Sequence, residues 1–362
     1  MKHWEFIYKT LLKLKNCFSR SATFYTFLTI VVGLMIREDV FGVTSIIRCF
    51  NLNPRTYQSF LDFFQSSAYD IEKIMELWCK IVLQTMKQYL ITVPSSTSPD
   101  DDRMILAIDT TVVPKEGKKM PAVKNLHQSS SSNTKAEHVR GHLLQLISVL
   151  VKKCNKAIAI PLEIKICSGY AESPDQKESL IDKCINSIIK NKLFTNSIIV
   201  ADSYYGVGKV IKKFDESKNN LALIVKLKSN ASYYEKDFNT KTEGRGRPRK
   251  YGVKHKVNDY AQNITDWKEV EIYLYGRKEK VKIHAMENFW RPCGRVVKYV
   301  FVKFNEKITI FMCSDCSIPA EKVVEIYVYA LTESSSSSIV IVGTFESSST
   351  SSSTLTVGAI TG

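Results

Sequence analysis

The sequence predicts an α/β protein built on a mixed sheet with flanking helices, preceded by a helical domain and carrying a β-rich insertion. Three observations point there. Met104 to Ile108 is an apolar run that ends in Asp109-Thr110-Thr111, and Ile198 to Ala201 ends in the same way at Asp202-Ser203; short apolar runs bounded by polar residues read as strands covered on both faces. Between them, Leu180, Ile181, Cys184, Ile185, Ile188 and Ile189 recur at helical spacing. From about residue 230 onward, runs such as Val270 to Tyr275 and Val296 to Phe304 alternate among charged and aromatic residues, which is strand grammar.

Residues 1–98 are expected to be a helical N-terminal domain. Trp4, Tyr8, Leu11, Leu12 and Leu14 are spaced for an amphipathic helix, and Ile71 to Met86 repeats apolar residues at three- and four-residue steps. Gly42 to Phe50, the turn Asn51-Leu52-Asn53-Pro54, and Tyr57 to Phe64 make a helix–turn–helix; a small DNA-binding unit needs this, and so does any helical bundle. The polar stretch Pro94 to Asp102 marks a boundary. Residues 99–229 form the predicted α/β core: the Asp109 strand, a polar loop from Pro114 to Arg140, strands over Gly141–Val151 and Ala157–Ile166, a helix within 175–193, the Asp202 strand, a short helix over Gly208–Phe214 and a strand over Leu221–Leu227. Residues 230–310 are the β-rich insertion, with a hairpin pairing Val300–Phe304 and Ile308–Met312. Residues 311–333 begin a C-terminal core helix from Pro319. Residues 334–362 hold 11 serines and one charged side chain, Glu346, a composition that cannot bury a core.

The 362 residues include 51 Lys+Arg against 36 Asp+Glu, a formal charge of +15 and a pI near 9.2. A polyanion is therefore the first partner to consider. The nine cysteines are scattered and odd in number, the usage of reduced thiols in a cytoplasmic protein. Cys313-x-x-Cys316 alone, without a second pair, reads as structural. Phe24 to Ile36 is the most apolar stretch, but 13 residues fall short of the roughly 20 needed to cross a bilayer. No membrane association and no secretory leader are expected.

The chemistry resides in Asp109 and Asp202. Two carboxylates at the ends of neighbouring strands offer oxygen ligands to a hard divalent cation, and two such ions about 4 Å apart can activate a water or a 3′-hydroxyl for phosphodiester chemistry. Each aspartate could instead cap its own turn. A second motif is Gly244-Arg245-Gly246-Arg247-Pro248-Arg249-Lys250: an extended segment whose guanidinium groups suit a narrow A·T-rich minor groove. Its Arg-Gly-Arg-Pro core matches the AT-hook pattern, so Arg245, Gly246, Arg247, Pro248, Arg249 and Lys250 are the candidate DNA-binding residues. His127, His138 and His142 lack ligand spacing and read as loop or core residues.

Taken together, AIDTT at Asp109, KKMPAVKNLHQ followed by Gly141-His142, VADSYYG at Asp202, GRGRPRK and IPAEKVVEIYVY resemble the DDE transposases of bacterial insertion sequences, the insertion-sequence-4-like group with a ribonuclease-H-like catalytic domain. The resemblance runs from about residue 100 to 329. It implies metal-dependent phosphodiester hydrolysis and strand transfer with Mg2+ or Mn2+ held by Asp109 and Asp202, double-stranded DNA at transposon ends and target as the partner, and a cytoplasmic, nucleoid-associated protein; it allows a homodimer on DNA. The family's third carboxylate follows a pattern of Tyr, two residues, Arg, three residues, Glu, six residues, Lys. Tyr327 matches, whereas Ala330, Ser334 and Ile341 occupy the other positions. Glu333 is the nearest acid but is off register by one residue, which turns it by 100° on a helix. The loss after Tyr329 coincides with the serine-rich tail, as a frameshift, truncation or fusion would produce, so this copy is expected to be catalytically incomplete, or a non-enzymatic remnant that grips A·T-rich DNA or transposon ends.

Overall fold

The computed structural model describes residues 2–39, 42–94, 102–115, 117, 120, 122–127, 138–153, 156–167, 178–228, 230–236, 251–274, 277–304 and 307–334. Five helices come first: α1 Lys2–Leu12, α2 Ser21–Ile36, α3 Gly42–Cys49, α4 Thr56–Gln65 and α5 Ile71–Thr85. Helix α2 is apolar all round because it is packed between neighbours: Phe24, Ile30 and Gly33 are buried, and a Cβ at Gly33 would lie 2.3 Å from Cγ2 of Ile46 in α3. The turn before α4 passes through Asn51 at φ 50°, a left-handed conformation that Asn tolerates. Helix α5 starts where the Asp70 carboxylate accepts from the amides of Glu72 and Lys73 at 3.0 and 3.1 Å, satisfying donors that the helix cannot. It then docks on the sheet, with the Trp78 indole donating to the Pro161 carbonyl at 2.9 Å.

The strands are β1 Thr92–Val93, β2 Arg103–Pro114, β3 Lys124–His127, β4 His138–Lys153, β5 Lys156–Ile166, β6 Ser197–Ala201, β7 Ala222–Lys226, β8 Ser232–Tyr234, β9 Lys254–Lys256, β10 Lys268–Leu274, β11 Arg277–Trp290, β12 Arg295–Phe304 and β13 Lys307–Cys313. Among the described residues they form one mixed sheet in the order β3-β4-β2-β6-β7-β13-β12-β11-β8-β9, with β5 on β4, β1 on β2 and β10 on β11. Strands β2, β6 and β7 are parallel to one another and the other pairings are antiparallel. The remaining helices are α6 Leu180–Lys190, α7 Gly208–Ser217, α8 Val257–Gln262 and α9 Ala320–Ser334. The α/β class, the ribonuclease-H-like mixed sheet and the flanking helices are as the sequence predicts. Residues 268–313 continue this sheet through β13, which pairs with β7.

Side-chain alternation along the strands decides what each face buries. Leu106, Ile108, Ile199, Ala201, Leu223 and Val225 face α5, α6 and α7, packing with Cys79, Val82, Ile185, Ile188, Val210 and Phe214. Ile105, Ile198, Val200, Ala222 and Ile224 face the other way, onto Val323, Val324, Ile326 and Tyr327 of α9. The buried Arg103 guanidinium joins the N-terminal ends of these strands: it bridges Asp315 Oδ2 at 2.5 Å and donates to the carbonyls of Ser197 and Asn220 at 3.4 and 3.3 Å. Asp315 lies five residues before α9, so this clamp starts the helix at the end of the sheet opposite Asp109.

The structure corrects several local expectations. Strand β2 does not end at Asp109 but continues to Pro114, because its antiparallel partner β4 supplies ladder bonds as far as Pro114↔Gly141; only the parallel pairing with β6 stops short, at Ala107↔Val200. The polar loop from 114 to 140 contains β3, paired with the start of β4. Residues 257–262 form a helix and 277–290 the long strand β11, neither of which was read from the sequence; in β11, lysines and glutamates hide the apolar alternation of Val281, Ile283 and Phe289. The serine-rich residues 335–362 lie outside the described residues, and α9 itself includes Ser334. Among the described residues no helix is long and apolar enough to cross a membrane.

Candidate active site

Asp109 and Asp202 come together where parallel pairing ends, the position that open α/β sheets commonly use for ligands. By the period of two, Asp109 shares its face with Ile105 and Ala107, and Asp202 follows Ile198 and Val200; both therefore rise on the α9 side of the sheet. Each carboxylate is exposed at its tip and bonded to its own backbone: Asp109 Oδ1 accepts from the Thr110 amide at 2.8 Å, and Asp202 Oδ1 from the Tyr204 amide at 3.0 Å. The capping role that the sequence allowed is thus real for Asp202, which opens the Ser203–Tyr205 turn. It leaves the remaining carboxylate oxygens for other ligands.

The electrostatics set this pair apart from ordinary surface acids. Desolvation pushes Asp109 above the usual carboxylate range, the Thr110 amide opposes the shift, and the charge of Asp202 adds to it. Asp202 is also raised by desolvation, against the amides of Tyr204 and Tyr205 and the nearby charge of Lys228. Neither carboxylate has an ion-pair partner among the described residues. Two partly desolvated carboxylates on one face of the sheet, neither in a salt bridge among the described residues, are a donor set that fits a hard divalent ion, although they supply only two protein ligands. Among the described residues, no three His, Cys, Asp or Glu side chains cluster for a metal.

Two buried groups hold the pair. Tyr205, 1% exposed, receives a hydrogen bond on its hydroxyl from Gln145 Nε2 at 2.8 Å. Gln145 lies on β4 opposite Thr110, so this bond ties the Asp202 turn to the Asp109 strand. Gln145 is the one amide side chain in GHLLQLISVLV, a signal left unused at the sequence level. On the other side, Tyr327 packs on Phe311 with ring centroids 4.5 Å apart. Burial and then the charge of Asp202 push its hydroxyl up to about 12, and α9 packs across β2, β6 and β7.

The other sequence candidates divide. Arg245 to Lys250 lie outside the described residues. Glu333 lies within α9. His127 and His138 sit opposite each other on β3 and β4, and His142 opposite Val113, away from any described metal cluster. Cys313 is wholly buried; its thiol donates to the Asp315 carbonyl at 3.2 Å and is pushed up to about 12 by burial, as a structural cysteine should be.

A mixed-sheet protein presenting a carboxylate pair where its parallel pairing ends is the class that fold and site define. The chain belongs to the family described as DDE superfamily endonuclease, whose model matches residues 13–288, a span that contains Asp109 and Asp202 and stops before α9. Among solved structures it is similar to a piggyBac transposase synaptic complex with hairpin DNA, at 13% identity and a TM-score of 0.40, covering 89% of this chain and 66% of that one. It is also similar to the NurA nuclease from Sulfolobus solfataricus, at 8% identity and a TM-score of 0.27, covering 77% and 86%. No curated protein matches it.

Proposed function

We propose that the chain is a DDE-type transposase of an insertion sequence by descent, with Asp109 and Asp202 as two of its three acidic residues, and that this copy lacks the third. The observation that carries this reading is the pair itself: two desolvated carboxylates without ion pairs on the α9 face, in a chain of the DDE endonuclease family. Asp109 and Asp202 would hold Mg2+ or Mn2+, which when bound supplies Lewis acidity and an activated oxygen nucleophile. The chain's own groups position this site: Gln145 and Tyr205 fix the turn of Asp202 against β2, and Tyr327 closes its apolar side. Double-stranded DNA is the substrate, gripped also by Arg245–Lys250.

Serine at position 334, where the family's sequence pattern has Glu, favours a second reading, a remnant that binds DNA without cutting it. Supercoiled plasmid incubated with the purified protein and Mn2+ or Mg2+ separates an active from an inactive copy. No nicking or strand transfer beyond that of Asp109→Ala is expected. Robust cleavage that Asp109→Ala abolishes would overturn the claim of incompleteness while keeping the family chemistry.

A further inference from the structure

Next to Asp202 lies a cleft of about 300 Å³, floored by Ser203 and Gly206 of the turn that Asp202 opens and walled by the ends of β7, β8, β9 and β11. Lys226, Lys228, Lys254 and Arg291 line it, no carboxylate does, and all four cations are exposed. None has an ion-pair partner among the described residues. The Arg291 guanidinium lies 5.8 Å from the centre of the Tyr251 ring, a contact that orients it towards the cleft mouth it lines.

Four cations and no carboxylate among the residues lining one concave site repel each other and call for a polyanion. From this we propose that the cleft seats consecutive phosphates of a DNA strand, with Lys226, Lys228, Lys254 and Arg291 as backbone contacts that carry the strand past Asp202. The assignment rests on the reading of the chain as a DNA-processing protein, and it goes beyond that reading by naming where the strand lies. Its position supports it. Lys226 and Lys228 leave the C-terminal end of β7, parallel to β6, at the sheet end that carries both aspartates, and the charge of Lys228 already reaches Asp202. Gly208 permits the wall to close, since a Cβ there would lie 2.1 Å from the Pro292 backbone.

The test is binding rather than cleavage, in EDTA, so that it stands whether or not the carboxylates catalyse. Fluorescence anisotropy with a labelled 30-base-pair duplex and the corresponding single strand, from 50 to 200 mM salt, compares the full chain with Lys226→Gln/Lys228→Gln and with the control Lys190→Gln/Lys192→Gln at the other end of β6. Each lost phosphate contact lowers the slope of log affinity against log salt by about 0.9 for duplex and about 0.7 for single strand. The cleft variant should thus lose about 1.8 or 1.4, identifying which form sits there, and on duplex its deficit should narrow about tenfold across this range. The control should bind as wild type does, and Arg291→Gln should lose about one contact. An unchanged slope in the cleft variant, an equal loss in the control, or no DNA binding by the wild type overturns the proposal. So does preference for a polyglutamate peptide over DNA.

Discussion

Replacing Arg103 by Met removes the clamp that sets α9 against β2, and the structure gives the size of the effect. The Arg103 side chain is 5% exposed and its Asp315 partner 26%. Breaking a fully buried pair costs about 3–5 kcal/mol, because the remaining charge is stranded. Asp315 keeps the hydroxyl of Ser317 at 2.7 Å and its amide at 2.9 Å, so the lower end, about 3 kcal/mol, applies. In a chain of this size that corresponds to a loss of about 6 °C in Tm. The pH dependence has a definite sign. Burial pushes Asp315 up, but the bonds from Ser317 and Arg103 outweigh it and hold the carboxyl below its ordinary value. Its stabilising contribution is therefore present above the ordinary carboxylate value and is lost as pH falls through the depressed one. Thermal melts of Arg103→Met, Asp315→Asn and the double variant from pH 3 to 7 should show a shallower acid limb in Arg103→Met and a double variant less damaged than the sum of the singles. A loss below about 1 kcal/mol at pH 7, or strict additivity, would refute the clamp.

Three further outcomes follow from the site. Asp109→Asn and Asp202→Asn should each raise Tm at pH 7: both carboxyls are raised by desolvation, so the native state holds more protons than the unfolded chain and stability falls as pH rises through the raised values. The gain should vanish below the ordinary carboxylate value, and a loss of stability at pH 7 would contradict it. Gly208→Ala should cost about 1–3 kcal/mol by forcing α7 from the Pro292 backbone, read by chemical denaturation, and should weaken DNA binding by displacing Arg291. Gln145→Leu should cost about 1–3 kcal/mol by stranding the buried Tyr205 hydroxyl, and Gln145→Leu/Tyr205→Phe should recover most of it.

Much of this was legible in the sequence because apolar runs that end in Asp leave few alternatives. Met104–Ile108 and Ile198–Ala201 are short apolar runs bounded by polar residues, so they read as strands; that both acids rise on one face depends on the register Ile105↔Ile198, which only the fold supplies. Helices α5 and α6 followed from their apolar spacing, and α2 from an apolar run too short to cross a bilayer. What stayed hidden depends on partners distant in sequence. The extension of β2 past Asp109 is dictated by β4, not by β2 itself. The Arg103–Asp315 clamp joins residues 212 apart, and β11 pairs its lysine-rich face with β10 and β12, which no local pattern announces. The basic cleft gathers residues from four strand ends, so its charge appeared only as part of the net +15.

The central claim is that Asp109 and Asp202 are two thirds of a metal site whose missing third is position 334. Titrating Mn2+ into the full chain, followed by electron paramagnetic resonance of the free ion, tests it most directly. The account predicts weak binding by the wild type, loss of that binding in Asp109→Asn and in Asp202→Asn, and binding about tenfold tighter, about 1.4 kcal/mol, in Ser334→Glu. Mn2+ affinity that is the same in the wild type, both Asn variants and Ser334→Glu would contradict it.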